Sequence, residues 1–254
     1  MRLVVLGDPV AHSRSPAIQQ AAFDHSGIAA VYAARRVDRA GLAAAVAAIR
    51  AGRLDGANVT MPHKQEAAAL ADRRSPETAR AGAANTLLRR GGAVHAHLTD
   101  VEGIRAAWER ARLAASGPVL VLGAGGAAAA ALLALEGREI AVSARRPDAA
   151  ARLIALVGVE AATVPWEQGR DGAVVVNATP LGMAGEDLPR GVVAGCSGLF
   201  EMAYGAGDTP ATRAVAAAGR PVASGRDMLV AQAAASFELW TGRKAPIAVM
   251  AAAF

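Results

Sequence analysis

Short apolar runs alternate with stretches of helical periodicity along most of this chain. Residues 3–6 and 119–122 are apolar runs that end at glycine, which predicts buried strands, whereas residues 42–49 carry apolar side chains at helical spacing. Pro16 is predicted as the first residue of a helix with Ser15 as its N-cap, and a second helix is predicted to begin at a later proline, at position 62. Repeated alternation of strand and helix predicts an α/β fold.

The alternation restarts near Pro118, which predicts two domains. The predicted strands are 3–6, 31–37, 57–59, a hairpin of 84–88 and 93–98, and then 119–122, 140–142, 161–164, 173–176 and 198–202. The later strands alternate with helices, as in a doubly wound sheet. Residues 226–254 add only helices, so we expect them to complete a first domain of residues 1–99, beside a second domain of residues 100–225.

The composition is that of a folded protein without disulfides. Of its 254 residues, 53% are hydrophobic and 19% are charged, which excludes a disordered chain, and Cys196 is the only cysteine. No run of ~18 apolar residues occurs, and the first apolar run is too short for the core of a signal peptide. We therefore expect a soluble, cytoplasmic protein with no membrane partner.

The net charge of +5 raises the question of a nucleic-acid partner. The basic residues lie in scattered pairs, and only two tyrosines and four phenylalanines are available to stack on bases, so we expect no nucleic acid. His95 and His97 have a spacing seen in metal sites, but no third ligand is evident, so we expect no metal.

A glycine-rich segment with the spacing G-x-G-x-x-A lies between a predicted strand and a predicted helix. Gly123 allows a tight turn, Gly125 lets a pyrophosphate approach the backbone, and Ala128 permits close packing of the helix. The N-terminus of that helix attracts anions. The segment predicts a dinucleotide site, and a purely structural turn is the alternative.

The residues about twenty positions past Gly123 favour NADP over NAD. An NAD site has an acidic residue there, which binds the ribose 2′-hydroxyl, but this chain has Arg145 and Arg146. Two guanidinium groups suit a 2′-phosphate because their hydrogen bonds to it are charge-assisted. A solvated arginine pair is the alternative, and Asp148 lies close by.

Lys64 is the candidate acid or base. It lies in the first turn of the helix predicted from Pro62, where the helix dipole disfavours a cation. Lys64 and Lys244 are the only lysines among 27 lysines and arginines, so a lysine here indicates a cation that must exchange its proton, which arginine cannot do. An exposed surface lysine is the alternative.

Several polar residues leave two interpretations open. Asn58, Asn85 and Asn177 lie near threonines at predicted strand ends, where α/β sheets bind ligands but where asparagine also serves in turns. Ser15 is suited to bind an anion at a helix N-terminus or to act only as a cap. Asp100 begins a helix, where an acid also serves as a cap.

Together these segments resemble the shikimate dehydrogenase family from Gly7 to Gly242. The family motifs G-x-P-x-x-H-S-x-S-P, N-V-T-x-P-x-K, G-A-x-N-T, T-D and the glycine-rich NADP turn are matched in order, at residues 7–16, 58–64, 82–86, 99–100 and 123–128. Residues 177–183 and 225–233 are similar to later family signatures. The resemblance implies an N-terminal α/β substrate domain and a Rossmann-like, doubly wound NADP-binding domain.

The resemblance also implies residue roles. Lys64 is the catalytic acid or base, and Asp100 is the catalytic aspartate that orients the substrate and the lysine. The substrate-binding residues that it implies are Ser13, Ser15, Asn58, Thr60, Asn85, Tyr204 and Gln232. The cofactor-binding residues that it implies are Gly123, Ala124, Gly125, Gly126, Ala127, Arg145, Arg146, Thr179 and Gly225.

The implied activity is reversible, NADPH-dependent reduction of 3-dehydroshikimate to shikimate by a monomer or homodimer, with the hydride passing across an interdomain cleft. The chain departs from the family pattern at Gln19, Gln20, Leu98, Ala144 and Glu201, the last in place of an aspartate. A quinate/shikimate or aminoshikimate dehydrogenase is therefore the first alternative. A non-catalytic Rossmann-type binding protein is the second, but it would not explain why the catalytic lysine and aspartate both match.

Overall fold

The chain divides into two units. The computed structural model describes residues 1–204 and 207–254. The first unit consists of Met1–Gly103 and Leu229–Phe254, and the second of Ile104–Met228. Both boundaries fall within helices, a few residues after the domain boundaries predicted at 99 and 225.

The first unit contains a mixed six-stranded sheet. Its strands are β1 (Arg2–Gly7), β2 (Val31–Arg36), β3 (Gly56–Val59), β4 (Arg73–Arg74), β5 (Thr86–Arg90) and β6 (Ala93–His97). They lie in the order β2-β1-β3-β5-β6-β4, with β1 parallel to β2 and β3, and with β5 antiparallel to β3 and β6. The antiparallel register places Asn58 opposite Thr86, which brings polar side chains together at one end of the sheet.

Helices follow most of the strands. They are α1 (Ser15–His25), α2 (Arg39–Arg50), α3 (Lys64–Leu70), α4 (Pro76–Ala81), α5 (Asp100–Arg110), α6 (Gly126–Ala134), α7 (Pro147–Val157), α8 (Arg190–Ala194), α9 (Pro210–Ala217), α10 (Gly225–Thr241) and α11 (Ile247–Ala252). In α2 the periodic apolar side chains Leu42, Val46 and Ile49 are buried, and Asp38 caps the helix by accepting a hydrogen bond from the Gly41 N–H (2.8 Å). The spacing of the apolar residues and the N-cap are therefore both those expected of a helix that packs one face against the core.

Two helix starts differ from the prediction. Ser15 is not the N-cap of α1 but its first residue, because the helix begins one position earlier and Arg14 occupies the cap. Pro62 does not begin α3, because the His63 N–H donates to the Thr60 carbonyl (3.0 Å) in a turn that precedes the helix. Lys64 is therefore the first helical residue, and it still lies in the first turn.

The second unit contains a parallel six-stranded sheet. Its strands are β7 (Val119–Leu122), β8 (Ile140–Ser143), β9 (Ala161–Val164), β10 (Val174–Asn177), β11 (Gly198–Glu201) and β12 (Val222–Ala223). They lie in the order β12-β11-β10-β7-β8-β9. The first strand in the sequence, β7, is therefore central, and the later strands lie on either side of it. Every residue of β7, β8, β10 and β11 is buried, as in a sheet with both faces covered. The predicted α/β, doubly wound fold is confirmed.

The prediction missed the two-residue strands β4 and β12 and the short helices α4 and α8. Two-residue strands have no period to detect. A signal for α4 was present, because Ser75 accepts a hydrogen bond from the Thr78 N–H (3.2 Å), Pro76 follows it, and Gly82 ends the helix at φ 59°.

Candidate functional site

Lys64 and Asp100 form a buried ion pair in the first unit. The Lys64 Nζ lies 2.6 Å from the Asp100 Oδ2, and the two side chains are 18% and 6% exposed. Lys64 begins α3 and Asp100 begins α5, so each side chain lies at a helix N-terminus. Such an end favours a carboxylate and disfavours an ammonium group. The carboxylate of Asp100 therefore holds a cation where the helix alone would repel it.

Asn85 fixes the orientation of Asp100. The Asn85 Oδ1 accepts hydrogen bonds from the N–H (2.7 Å) and the hydroxyl (3.2 Å) of Thr99, which determines which way the amide points. Its Nδ2 then donates to Asp100 Oδ1 (2.9 Å) and to Gln232 Oε1 (3.0 Å). Because Oδ1 of Asp100 is held by Asn85, the other carboxylate oxygen, Oδ2, is directed to Lys64.

Three buried hydroxyl groups pack behind this amide. The hydroxyl oxygens of Thr86, Thr99 and Ser236 lie 2.8 to 3.1 Å from one another. Asn58 Nδ2 lies 3.0 Å from both Thr86 Oγ1 and Ser236 Oγ, and Ser236 donates to the carbonyl of Gln232 (3.0 Å). We call Asn58, Thr86, Thr99 and Ser236 the hydroxyl cluster. It joins β3, β5, α5 and α10 in one hydrogen-bonded array.

Sequence reasoning did not identify the hydroxyl cluster, nor the tyrosine that contacts it. Tyr32 donates from its hydroxyl to Asn58 Oδ1 (2.6 Å). Thr86 and Thr99 stand in matched motifs but were assigned no role. Ser236 lies four residues after Gln232 on α10, so helical spacing was the signal that would have placed it on the same face.

Ser13, Ser15 and Thr60 lie on loops and helix starts of the first unit. Ser13 Oγ accepts a hydrogen bond from the Ser15 N–H (3.3 Å), and α1 begins without a side-chain cap. An uncapped helix start offers N–H groups to an anion. Thr60 follows β3, and a Cβ on Gly7 would lie 2.3 Å from its methyl carbon, so that glycine is required there.

The glycine-rich turn of the second unit connects β7 to α6. Gly123 has φ 112°, and a Cβ there would lie 2.9 Å from the carbonyl oxygen of Ala178. Gly125 is the N-cap of α6, has open space at its Cβ position, and provides no side-chain cap. The loops after β7 and β10 flank the point where the strand order reverses, which is where such sheets bind ligands. A pyrophosphate fits this turn.

The loop after β10 is held by side chains. Asn177 Oδ1 accepts hydrogen bonds from the N–H (3.1 Å) and the hydroxyl (2.6 Å) of Thr179, and its Nδ2 donates to the Leu181 carbonyl (2.9 Å). The same Nδ2 donates to Glu201 Oε1 (2.8 Å). Burial raises the pKa of Glu201 to about 7, although hydrogen bonds from Ala203 and its other neighbours lower it.

The two arginines predicted for the 2′-phosphate are exposed at the end of β8. Arg146 is the N-cap of α7, and Arg145 precedes it. Asp148 pairs with Arg152 (2.6 Å) on the same helix. Asp148, the acidic residue near the predicted ribose site, is therefore already paired with a cation.

The remaining predicted residues lie in the second unit, except for Gln232. Ala124 and Ala127 flank the start of α6 and are half-buried, as is Tyr204 after β11. Gly225 begins α10, and a Cβ there would lie 2.6 Å from the carbonyl oxygen of Ala203. Gln232 is buried in the first unit, against Asn85.

Three departures from the family pattern lie in the first unit. Gln19 is fully buried, and its Nε2 donates to the Ala233 carbonyl (2.8 Å), but its Oε1 has no hydrogen-bond partner among the described residues. Gln20 donates to Asp24 (2.8 Å) on the next turn of α1. Leu98 is buried two residues before Asp100, and its side chain has no polar atom.

Residues 1–204 and 207–254 contain neither a candidate metal site nor a candidate membrane span. Among them, no three His, Cys, Asp or Glu side chains are grouped so as to hold a metal ion. Within the same ranges, the helices are too short or too polar to cross a membrane.

Comparison with known proteins decides the family. The family model described as shikimate dehydrogenase substrate binding domain matches residues 5–87, and the one described as shikimate 5′-dehydrogenase C-terminal domain matches residues 225–253. A shikimate dehydrogenase (NADP(+)) from Anaeromyxobacter sp. (strain Fw109-5) is 44% identical, over 98% of this chain and 94% of its own. The chain belongs to the shikimate dehydrogenase family.

Other members of the shikimate dehydrogenase family agree in sequence and fold. The shikimate dehydrogenase (NADP(+)) of Salinibacter ruber is 37% identical over 98% of this chain and 94% of its own. The shikimate 5-dehydrogenase of Thermus thermophilus, solved in complex with NADP(H) and shikimate, is 35% identical, with a TM-score of 0.91 over 100% of this chain and 98% of that one. The resemblance stated from the motifs is confirmed.

Proposed function

We propose that this member of the shikimate dehydrogenase family catalyses the reversible, NADPH-dependent reduction of 3-dehydroshikimate to shikimate. The observation that carries the proposal is the buried Lys64–Asp100 pair, 2.6 Å apart and oriented by Asn85. The relatives named for shikimate and NADP(+) support the same substrate and cofactor.

The second unit offers a site for NADP. The close approach of Gly123 to the loop after β10, and the uncapped start of α6 at Gly125, suit the pyrophosphate. Arg145 and Arg146 suit the 2′-phosphate. When bound, NADP supplies or accepts the hydride. The further cofactor-binding residues that we propose are Ala124, Gly126, Ala127, Thr179 and Gly225.

Lys64 moves the proton. As the substrate carbonyl is reduced, negative charge develops on its oxygen, and an ammonium group within hydrogen-bond distance stabilises that charge and then donates a proton to it. In the reverse direction the neutral amine accepts the proton of the substrate hydroxyl. Asp100 holds Lys64 in place between these steps, through the 2.6 Å contact.

The first unit offers a site for a carboxylate that carries hydroxyl groups. We assign the carboxylate to Ser13 and Ser15, at the uncapped start of α1. The further residues of this unit that we assign to the substrate are Asn58, Thr60, Asn85 and Gln232. Tyr204, in the second unit, is the remaining residue that the family resemblance assigns to the substrate. Asn85 already has protein partners for both its N–H groups and its oxygen, so its main effect is on the orientation of Asp100. We propose a monomer or homodimer, which sedimentation analysis tests.

The test is the absorbance of the reduced nicotinamide, with shikimate or quinate as the substrate and NADP or NAD as the cofactor. We expect rapid reduction of NADP with shikimate, and we expect Lys64→Ala to lower kcat at least ~10²-fold. Lys244→Ala is the matched control, because the other lysine is exposed and outside the site. Faster turnover of quinate than of shikimate would assign the chain to a related dehydrogenase. Absence of turnover in all four mixtures would overturn the proposal.

A further inference from the structure

Glu201 is a buried carboxylate that the proposed chemistry does not use. It ends β11, is 2% exposed, and takes part in none of the ion pairs found among the described residues. A buried carboxylate without a cation is unfavourable unless hydrogen bonds compensate it. Its retention in the second unit therefore calls for a function in that unit.

Glu201 accepts hydrogen bonds from three separate segments. Oε1 accepts from Asn177 Nδ2 (2.8 Å), at the end of β10, and from the Ala203 N–H (2.8 Å), after β11. Oε2 accepts from the Thr209 hydroxyl (3.0 Å), and Thr209 is the N-cap of α9. One side chain thus joins the ends of two neighbouring strands to the start of a helix.

The contact to Asn177 continues to the glycine-rich turn. Asn177 holds Thr179 through the N–H and hydroxyl bonds to its Oδ1. Ala178, between them, presents its carbonyl 2.9 Å from the position that a Cβ on Gly123 would take. The Ala178 N–H also donates to the Leu122 carbonyl (3.0 Å), at the end of β7. The contact between Glu201 and Asn177 therefore adds a side-chain restraint to a loop that the strand ladder already holds beside the turn after β7.

We propose that Glu201 is a positioning residue for the cofactor: through Asn177 it holds the loop after β10 against the glycine-rich turn and so sets the affinity for NADP. The inference rests on the proposed function only in assigning NADP to this turn. Glu201 does not touch the cofactor in this account, and its effect passes through Asn177.

The groups that face Glu201 from β10, the loop after β11 and α9 are all uncharged: Asn177, the Ala203 N–H and Thr209. A glutamine would keep Oε1 for Asn177 and Ala203, and its Nε2 would donate to the Thr209 oxygen, whose own hydrogen can turn to Thr212 Oγ1 (2.9 Å). The geometry thus requires an acceptor of this length at Oε1 and does not require a negative charge.

The experiment is equilibrium titration with NADPH, followed by nicotinamide fluorescence, alongside steady-state kinetics. We expect Glu201→Ala to raise the Kd for NADPH about 10-fold, the size of one lost hydrogen bond between buried groups, with the KM for shikimate within twofold. Glu201→Gln should restore the wild-type Kd. Glu186→Ala is the matched control, since Glu186 accepts N–H bonds from Gly182 and Ala184 in the same loop but is exposed.

Asn177→Ala tests the route. If Glu201 acts through Asn177, the double variant should bind NADPH no more weakly than either single variant, whereas additive losses would overturn the proposal. Wild-type affinity in Glu201→Ala, or a 10-fold loss in a folded Glu201→Gln protein, would also overturn it. If Glu201→Ala does not fold, Glu201→Met fills the same space without an acceptor. Failure of the wild-type chain itself to bind NADPH would contradict the proposed function instead.

Discussion

Asp100 and Glu201 are two buried carboxylates with different surroundings. Asp100, in the first unit, is 4% exposed and contacts the ammonium group of Lys64. Glu201, in the second unit, is 2% exposed, and the groups that donate hydrogen bonds to it among the described residues are uncharged. Two carboxylates of similar burial therefore have a charged partner in the first unit and uncharged hydrogen-bond donors in the second.

The difference shows what each carboxylate is suited to do. The ammonium group of Lys64, 2.6 Å away, compensates the desolvation of Asp100. Neutral donors compensate Glu201 only in part, so burial raises its pKa to about 7. The ion pair of Asp100 is suited to take part in a reaction. The hydrogen bonds of Glu201 join chain segments whether or not its carboxyl group is charged.

We expect the largest effect from a substitution of Lys64 that keeps the positive charge beside Asp100 but cannot exchange a proton. Lys64→Arg retains a cation beside Asp100, but a guanidinium does not release its proton in a protein. We expect kcat to fall at least ~10²-fold, with NADPH affinity unchanged. Steady-state rates and NADPH titration measure the two quantities. A kcat within tenfold of wild type would show that charge alone is sufficient.

The second prediction concerns Glu201 and the pH dependence of stability. Its pKa is raised from 4.5 to about 7 in the folded chain, so the folded state binds more protons between these values. Its contribution to stability is therefore fully present below pH ~4.5 and is lost as the pH rises through ~7. The shift corresponds to roughly 3 kcal/mol.

Glu201→Gln should remove that pH dependence. We expect urea unfolding of the wild type to show a free energy that rises relative to the variant as the pH falls from about 8 to about 5. Taking the difference between the two proteins cancels the other titrating groups. Parallel curves for the two proteins would mean that Glu201 keeps its ordinary pKa in the fold.

The third prediction concerns the exposed cations of the second unit. Arg145→Ala should raise the KM for NADP about 10-fold and leave that for NAD unchanged, because only NADP carries the 2′-phosphate that the guanidinium binds. Arg152→Ala is the control, since that arginine is exposed on the same region of the chain and pairs with Asp148. Equal changes for the two cofactors would remove Arg145 from the 2′-phosphate site.

The smallest effect is expected from a substitution in the hydroxyl cluster. Ser236→Ala removes one member of the hydroxyl cluster, and Thr86 and Thr99 still contact each other (3.0 Å). We expect a loss of roughly 1 kcal/mol in unfolding free energy and a rise in the KM for shikimate of a few-fold. Ser197→Ala is the control, because the Ser197 hydroxyl is buried without a partner in the described part of the chain. Equal losses of unfolding free energy and equal changes in the KM for shikimate in both variants would show that the hydroxyl cluster does not orient the site.

The sequence was most informative where a feature repeats or where a residue is chemically unusual. The parallel strands of the second unit are mostly apolar runs, and each of the four-residue strands was predicted within a residue or two of its bounds. Lys64 was identified because it is one of two lysines in an arginine-rich chain. Both signals are local, so a single sequence carries them.

The contacts that orient the site were not predictable in this way. Thr86 and Ser236 are 150 residues apart, and only the strand register and the packing of α10 bring their hydroxyls to 2.8 Å. Glu201 looked like a departure from a motif until its three donors were known. Short polar side chains of this kind have no period, so their partners depend on tertiary structure.

The discontinuity of the first unit has a consequence for the order in which the protein is made. Thr86 leaves the ribosome 150 residues before Ser236, which is roughly 8–30 s at usual rates of synthesis. The second unit, Ile104–Met228, is one continuous segment. The unit that holds the Lys64–Asp100 pair is thus begun first and completed last, after every strand of the second unit's sheet has been synthesised.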